Sequence, residues 1–560
     1  MMMPKEKKNL ENRLKGWLFY LPLILCVLLM LPRLLSPQFG LFDDGKTMIA
    51  AKEMAKNLSY FTFEADEGRF RPIYWLYFSS LDWIFGDNPF WFFLGNTILL
   101  ILATWLLMVF TQMVTGRRIQ TWIAGLFFVL SGPVIENYYT LSKGEPLQVV
   151  LLLLSMLSSA WIAQTSNLWK RGLYAILGLL AAVCALAVKE TTIVLIPISL
   201  AWLVLACLRS RKPLEQDIPL VWGKVASGVL VIISSVSAGI FLVLRRLMID
   251  AVLTEGHYTN DYAIQVETIL ASLVRWFGWL LRDFLFLLPL ILLAILWLIV
   301  RKKSADRGFM LESLIWMGGW AAIYLPWYFM AEYYMLPFTV GVAIFLGAVV
   351  EIARELLSMA QNRMRWVTVL CLGTSILLFG VTLFNNASNA GIQLAVDAAN
   401  AKMLKNLVKI APPGSYVMIN IQYPNEYTNQ IPMYINSILG RPDLKVDYFQ
   451  SHPPLGTATG STGHNLIITP VVKNQPILTV RMGVVEPTQE IWLSLLDNYL
   501  ILDDWQMISS SQVRFPLLIV DFSRIFCPFL KGRNFCERSA PLLDTREFSY
   551  GWKIYELDLP

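Results

Sequence analysis

The feature that most constrains this chain is a series of long apolar stretches. The hydrocarbon core of a bilayer is about 30 Å thick, so a helix needs about 20 apolar residues to cross it, and about 17 is the lower limit. Eleven stretches meet this requirement: 16–35, 90–113, 119–135, 146–164, 172–188, 191–208, 225–245, 280–300, 310–329, 335–351 and 366–384. We therefore expect an α-helical protein that crosses a membrane about 11 times.

The composition agrees with this class and excludes others. Of the 560 residues, 56% are hydrophobic and 15% are charged, whereas soluble domains contain about 25% charged residues. No phosphate-binding glycine loop, nucleophile elbow or nucleotide fingerprint is present, which argues against transport driven by nucleotide hydrolysis. The three histidines form no cluster with metal-ligand spacing, so no metal site is indicated.

Basic residues in the short loops indicate the orientation of the spans. The N-terminus is basic, and so is every second loop after it: Arg117 and Arg118; Lys170 and Arg171; Arg209, Arg211 and Lys212; Arg301, Lys302, Lys303 and Arg307; Arg363 and Arg365. We predict a cytoplasmic N-terminus and an exoplasmic C-terminal region, in a bacterial cell membrane rather than the endoplasmic reticulum. The first span lacks a small-residue cleavage site, so we expect a retained anchor.

Two regions outside the spans predict further structure. The first outer loop, about 36–89, contains a helical piece at Gly45–Asn57 and an aromatic run at Tyr74–Phe85 that suits the membrane interface. The region 386–560 contains β-rich runs and turn signals. It predicts a small exoplasmic α/β domain that follows a transmembrane domain at 1–385.

Cys527 and Cys536 are the two cysteines of the polar C-terminal region. An oxidising exoplasmic compartment favours a disulfide between them. Two free thiols are the alternative, because sequence spacing does not fix the geometry of the pair.

Ionisable and polar residues concentrate at the outer ends of the predicted spans. Such groups are costly at membrane depth, so they are functional candidates. They are Asp43 and Asp44; Arg69 and Arg71; Glu136, Lys143 and Glu145; Lys189 and Glu190; and Glu332, Tyr333 and Tyr334. Because loops at one end of a helix bundle can converge, we expect one shared cavity.

The charged motifs of this set each have two interpretations. The Asp43–Asp44 pair can deprotonate a hydroxyl as a general base, or it can cap the helix that follows. Lys189–Glu190 predicts a tight outer hairpin tipped by an ion pair, and a lysine that extends to the interface is the alternative. Two arginines spaced as in Arg69 and Arg71 suit bidentate binding of a phosphate, or contact with lipid headgroups.

The order of these motifs resembles the GT-C superfamily of multi-span glycosyltransferases, and most nearly its protein O-mannosyltransferase-like and aminoarabinose-transferase-like members. The resemblance rests on the acidic pair after the first span, the Arg71-Pro-Ile-Tyr run in the same loop, and the Lys189-Glu-Thr tip of a later hairpin. It covers about residues 16–345 and does not extend to the C-terminal region.

The resemblance implies transfer of a sugar, with inversion, from a polyprenyl-phosphate donor to a hydroxyl of a protein, lipid or glycan. It implies that Asp43 is the general base and that Asp44 orients the acceptor. It further implies that Lys189 and Arg71, with Arg69 nearby, hold the donor phosphate, that Glu190 fixes Lys189, and that Lys143, Glu145, Glu332, Tyr333 and Tyr334 line the pocket. The sequence departs from many members at two positions, since the second acid is Asp44 instead of Glu, and Glu332 stands where an arginine often precedes tyrosine.

A transporter or flippase for lipid-linked glycans is the rival class. Such proteins usually carry ionisable residues near the midplane of broken helices in repeated halves, whereas here the charges lie at span ends and no repeat is visible. A polysaccharide polymerase or ligase is a third possibility. The expected partners are the lipid-phosphate donor, membrane lipid and an acceptor that the sequence does not specify, with no nucleic acid. No cofactor is expected, although a divalent metal is compatible with the chemistry.

Overall fold

A computed structural model of the chain describes residues 16–40, 44–56, 69–209, 223–248, 264–300, 306–327, 331–358, 362–419, 430–448, 465–473, 505–516, 519–520, 543–545 and 547–557. Within these ranges the chain forms sixteen α-helices and seven strands. All seven strands lie after residue 415. The predicted fold class, a helical membrane protein with a C-terminal α/β domain, therefore agrees with the structure.

The helices are numbered in chain order. They are α1 Leu21–Leu35, α2 Asp44–Lys56, α3 Pro72–Phe85, α4 Pro89–Thr115, α5 Arg118–Leu130, α6 Gly132–Tyr138, α7 Glu145–Gln164, α8 Leu168–Val188, α9 Leu195–Arg209, α10 Lys224–Met248, α11 Val266–Asp283, α12 Leu287–Val300, α13 Asp306–Ile323, α14 Leu336–Ser358, α15 Asn362–Ile410 and α16 Gln430–Ser437. Short 3-10 turns at Trp17–Tyr20, Glu190–Val194 and Glu332–Met335 precede α1, α9 and α14. The helical piece predicted at Gly45–Asn57 corresponds to α2, and the aromatic run Tyr74–Phe85 lies in α3.

Eight helical segments of the described chain are long and apolar enough to cross a membrane. They are Leu18–Leu35, Pro89–Thr115, Glu145–Gln164, Leu168–Val188, Glu190–Leu208, Lys224–Met248, Glu332–Ser358 and Met364–Ile410. Counting each of two bent helix pairs as one crossing raises the number to ten. The remaining predicted span, 310–329, corresponds to a shorter apolar helix at Met310–Ile323.

Two predicted spans are bent. The axes of α5 and α6 differ by 55° across Ser131, and those of α11 and α12 differ by 93°. The span predicted at 119–135 is therefore interrupted near its end, and the apolar helix predicted at 280–300 begins at Leu287. At the first bend the apolar run continues through the break, whereas the second bend directly follows the charged residues Arg282 and Asp283.

The longest helix, α15, connects the bundle to the C-terminal region. Its 49 residues extend about 74 Å, more than twice the thickness of the hydrocarbon core. Large apolar side chains are exposed along its first half, including Trp366, Leu370 and Leu377, as on a lipid-facing surface. Its second half buries polar side chains: Asn385, Asn386, Ser388, Asn389, Gln393, Asp397 and Asn400. The helix thus continues beyond the membrane as the support of the C-terminal sheet.

The C-terminal strands form two sheets. The strands are β1 Tyr416–Ile419, β2 Lys445–Tyr448, β3 Asn465–Lys473, β4 Trp505–Pro516, β5 Ile519–Val520, β6 Leu543–Asp544 and β7 Glu547–Leu557. The larger sheet has the order β2-β1-β3-β7-β4, and β5 pairs with β6. Strand β1 is parallel to β2 and β3, whereas β7 is antiparallel to β3 and β4. We call the end of the helix bundle that carries these sheets the tail side.

One face of the larger sheet packs on the second half of α15. Strand β7 buries Phe548, Ser549, Tyr550, Trp552 and Ile554. The Asn400 Oδ1 atom accepts hydrogen bonds from the Tyr550 hydroxyl and from Trp552 Nε1, both at 2.8 Å. Because all three groups are buried, this one amide oxygen ties the sheet to the helix.

Replacing Asn400 with Leu removes the acceptor of both donors. A buried donor without a partner costs about 1–3 kcal/mol, so we expect Asn400→Leu to unfold at a lower temperature and to release the sheet to protease earlier. Thermal unfolding and limited proteolysis of the detergent-solubilised protein measure the two effects. Asn406→Leu is the control, because the Asn406 Nδ2 to Ser509 Oγ bond of 3.0 Å is only partly buried. Equal losses in the two variants would contradict the assignment.

Candidate active site

Segments from distant parts of the chain meet at the turn between α6 and α7, residues Thr140–Glu145, which we call the central turn. The backbone N–H groups of Leu141 and Ser142 donate to Asp44 Oδ1 at 3.2 and 3.3 Å. The carbonyl of Ser142 accepts a hydrogen bond of 3.1 Å from the Tyr74 hydroxyl. The central turn therefore holds the start of α2 and the start of α3 together.

The Asp44 side chain is 4% exposed and acts as an anchor of the first loop. Besides its bonds to the central turn, its Oδ2 atom accepts a hydrogen bond of 2.8 Å from Gly40 N. Burial, with a smaller effect of the Asp397 carboxylate, raises the pKa of Asp44 to about 6, while the Gly40 N–H and the Arg33 guanidinium act in the opposite direction. Ionised Asp44 thus fastens both ends of the short segment that carries Asp43.

Lys189 pairs with Glu145, not with its sequence neighbour Glu190. The lysine is 14% exposed and the glutamate 1%, and the lysine Nζ also lies 4.2 Å from the centroid of the Tyr334 ring. The predicted Lys189–Glu190 ion pair is therefore wrong. The reason is local, since Lys189 has an extended backbone directly before a 3-10 turn, so adjacent side chains diverge.

Two adjacent tyrosines connect Lys189 with Lys143. The Tyr333 and Tyr334 hydroxyls are hydrogen bonded at 2.8 Å, and Tyr334 stacks on Tyr324 with 4.8 Å between ring centroids. Lys143 Nζ lies 4.2 Å from the centroid of the Tyr333 ring. Each such cation–π contact contributes about 0.5–2 kcal/mol. Both lysines are thereby held over the same pair of rings.

Glu190 contacts the arginine motif of the first loop. Its Oε1 atom accepts a hydrogen bond of 3.0 Å from Phe70 N, between Arg69 and Arg71. The Arg71 guanidinium lies 4.7 Å from the centroid of the Tyr74 ring, and Tyr74 in turn bonds the central turn. The arginine motif therefore lies next to Glu190, the neighbour of Lys189, and next to the central turn.

Sequence reasoning missed Arg282 and Asp283, which end α11. Arg282 donates to Asp283 through Nε at 2.9 Å and Nη2 at 2.8 Å, and it also pairs with buried Glu332. A Cβ atom on Gly132 would lie 2.9 Å from oxygens of both acids, so a side chain there would force them apart. This cluster fixes the residue that precedes the tyrosine pair. The sequence marks Arg282 and Asp283 in the same way as the other candidates, namely as charged residues at the end of a span.

A second missed pair joins α1 to α15. Arg33 Nη2 lies 2.5 Å from Asp397 Oδ2, and both side chains are fully buried. Gln393 Nε2 donates to the two Asp397 oxygens at 3.2 and 3.1 Å. Arg33 stands at the end of the first predicted span, but Asp397 follows the last span by more than ten residues. No sequence signal connects them.

Asp43, Cys527 and Cys536 lie outside the described residues, so the base and the disulfide stay predictions. Among the described side chains, no group of three or more His, Cys, Asp or Glu residues is arranged to hold a metal ion. The described part of the site combines ammonium, guanidinium and phenol donors with carboxylates at the ends of membrane spans. Donors of these kinds suit the oxygens of a phosphate.

No protein-family model and no curated protein matches the chain. Among solved structures, it is similar to ArnT from Cupriavidus metallidurans bound to undecaprenyl phosphate, with 12% identity, a TM-score of 0.45, and coverage of 94% of this chain and 97% of that chain. For the apo state of the same protein the identity is 12% and the TM-score is 0.43, with coverage of 94% of this chain and 96% of that chain. For the oligosaccharyltransferase from Archaeoglobus fulgidus in complex with Zn and sulfate, the identity is 11% and the TM-score is 0.38, with coverage of 74% of this chain and 61% of that chain.

Replacing Glu145 with Gln leaves the Lys189 ammonium without its carboxylate partner. Breaking a buried ion pair from one side costs about 3–5 kcal/mol, whereas removing both partners is often close to neutral. We therefore expect Glu145→Gln to lower the thermal unfolding temperature and Glu145→Gln/Lys189→Met to recover most of the loss. Thermal unfolding in detergent measures both. A double variant less stable than the single one would show that the pair is not coupled as described.

Proposed function

We propose that this chain is a membrane glycosyltransferase that uses a sugar linked to polyprenyl phosphate and transfers it to a hydroxyl of a protein, lipid or glycan. The observation that carries the proposal is the convergence on the central turn, which contains Lys143 and which Asp44, Lys189 and the arginine motif approach from separate segments. Transfer from a lipid phosphate needs cations that stabilise the leaving phosphate and a carboxylate that accepts a proton. The described site contains such cations, and accepting the proton is the role proposed for Asp43.

The donor phosphate, in this proposal, contacts Lys189, Lys143 and Arg71. All three lie at the tail-side ends of apolar helices or in the first loop, so the polyprenyl chain can stay in the lipid while its phosphate reaches the site. Glu145 orients Lys189, and Glu190 holds the backbone before Arg71. The tyrosine pair limits how far the lysines can turn away.

The reaction is a single displacement. The acceptor hydroxyl oxygen attacks the anomeric carbon, the bond from that carbon to the phosphate oxygen breaks, and its electron pair leaves with polyprenyl phosphate. The hydroxyl proton passes to the Asp43 carboxylate. Because phosphate is already a good leaving group, no strong acid is required. Attack from the face opposite the phosphate inverts the anomeric configuration.

Replacing Asp43 with Asn removes the proton acceptor and keeps the size of the side chain. General-base catalysis contributes about 10²–10⁴-fold to a rate, so we expect the variant to release polyprenyl phosphate at least about 100-fold more slowly. The assay follows a panel of decaprenyl-phosphate sugars in proteoliposomes, with membrane extract as the acceptor source. Glu53→Gln is the matched control in the same loop, since Glu53 pairs with Lys56 on the exposed surface, at 3.0 Å. Full activity of Asp43→Asn would overturn the proposal.

The same proteoliposomes distinguish a flippase. A flippase moves the lipid-linked sugar between leaflets with its glycosidic bond intact, whereas a transferase consumes the donor. Intact donor on the opposite leaflet, without release of polyprenyl phosphate, would favour the flippase and refute the transferase.

A further inference from the structure

The helix that supports the C-terminal sheet also reaches the candidate active site. Asp397 of α15 lies beside Gly40, where a Cβ atom would be 3.3 Å from Asp397 Oδ1 and 3.2 Å from Asp44 Oδ2. The two carboxylates therefore lie on either side of one glycine, where a Cβ atom would make tight contacts with both. Arg33 approaches the same point from the end of α1 and pairs with Asp397.

The Arg33–Asp397 pair is a poor candidate for a purely stabilising contact. Both side chains are fully buried, and the Nε and Nη1 atoms of Arg33 have no hydrogen-bond partner among the described residues. The guanidinium instead lies 4.1 Å from the centroid of the Phe93 ring. Desolvation of two charges often exceeds their mutual attraction, and an incompletely bonded guanidinium increases that cost. Such a pair is better explained by what it holds in place.

We propose that Arg33 and Asp397 are positioning residues of the proposed transfer reaction, which together hold the Asp44 carboxylate in place against the central turn. Gln393 orients Asp397 through its two hydrogen bonds. The inference rests on the proposed function and adds to it, because it makes the second half of α15 a part of the site. The C-terminal region then contributes to transfer itself, whatever it does in acceptor selection.

The two partners act on Asp44 with opposite sign. Among the described residues, the ionisable groups that face Asp44 are Arg33 on α1, Asp397 on α15 and Tyr434 on α16. The Asp397 charge raises the pKa of Asp44 and the Arg33 charge lowers it. Loss of Asp397 therefore moves the titration of Asp44 to lower pH, and loss of Arg33 moves it to higher pH. A general loss of folding would not shift the Asp44 titration in opposite directions in the two variants.

The test is a titration of Asp44 in the full-length protein in lipid nanodiscs, followed by infrared difference spectroscopy of the carboxyl band that Asp44→Asn abolishes. The wild-type carboxyl should titrate with a pKa of about 6. We expect Asp397→Asn to shift this midpoint down and Arg33→Gln to shift it up, each by about one pH unit. The acid limb of the transfer rate should move with it, since protonated Asp44 loses acceptor strength toward the amides of Gly40, Leu141 and Ser142. Arg33→Lys, which keeps the charge, should retain most of the wild-type midpoint.

Asp443→Asn is the matched control, because the Arg441–Asp443 ion pair of 2.8 Å lies on the surface of the same C-terminal region and should not change the titration. Shifts of the same sign in Asp397→Asn and Arg33→Gln, or no shift in either, would overturn the inference. The infrared titration does not need substrate. Absence of transfer in the wild type with opposite shifts intact therefore refutes the proposed function alone, and an inactive Asp43→Asn with no shifts refutes the positioning role alone.

Discussion

A charged side chain that leaves water must meet a partner of opposite charge, and this requirement organises the tail side of the bundle. In the described chain, three ion pairs with little exposure to solvent connect separate segments: Arg33 with Asp397, Lys189 with Glu145, and Arg282 with Glu332. Moving either member of a pair leaves the charge of the other without its partner. The pairs therefore connect α1 with α15, the start of α7 with the end of α8, and the end of α11 with the 3-10 turn before α14. The candidate site lies among these segments.

The bundle and the C-terminal region contribute to the site in different ways. The apolar spans supply the cations and tyrosines at their ends. The second half of α15 supplies polar side chains that face inward, and α16 packs against α2 of the first loop. Tyr434 of α16 is 8% exposed, and burial is the largest cause that raises its pKa. Asp44 is thus enclosed by both parts of the molecule.

Sequence reasoning reached the spans and most of the polar residues of the site, because both follow from the cost of placing polar groups in a bilayer. Sequence reasoning did not identify the residues with which these polar side chains pair. Adjacency in the sequence predicts an ion pair between Lys189 and Glu190, whereas in the structure Lys189 pairs with Glu145 at the start of α7. Arg33 and Asp397 are separated by 364 positions, and only the continuation of α15 beyond the membrane brings them together. Residue type and local spacing identify candidates, but the choice of partner depends on tertiary packing.

The uninterrupted course of α15 has a consequence for the design of chimaeras of this protein. A junction placed where the apolar run ends, near residue 385, would cut a helix that is still needed by Arg33 and by the sheet. The first natural break after it is the turn around Gly414, whose φ of 77° marks a change of chain direction. Exchange of the C-terminal sheet for that of another protein should therefore be made after Ile410, so that the incoming sheet meets Asn400 on the host's own helix.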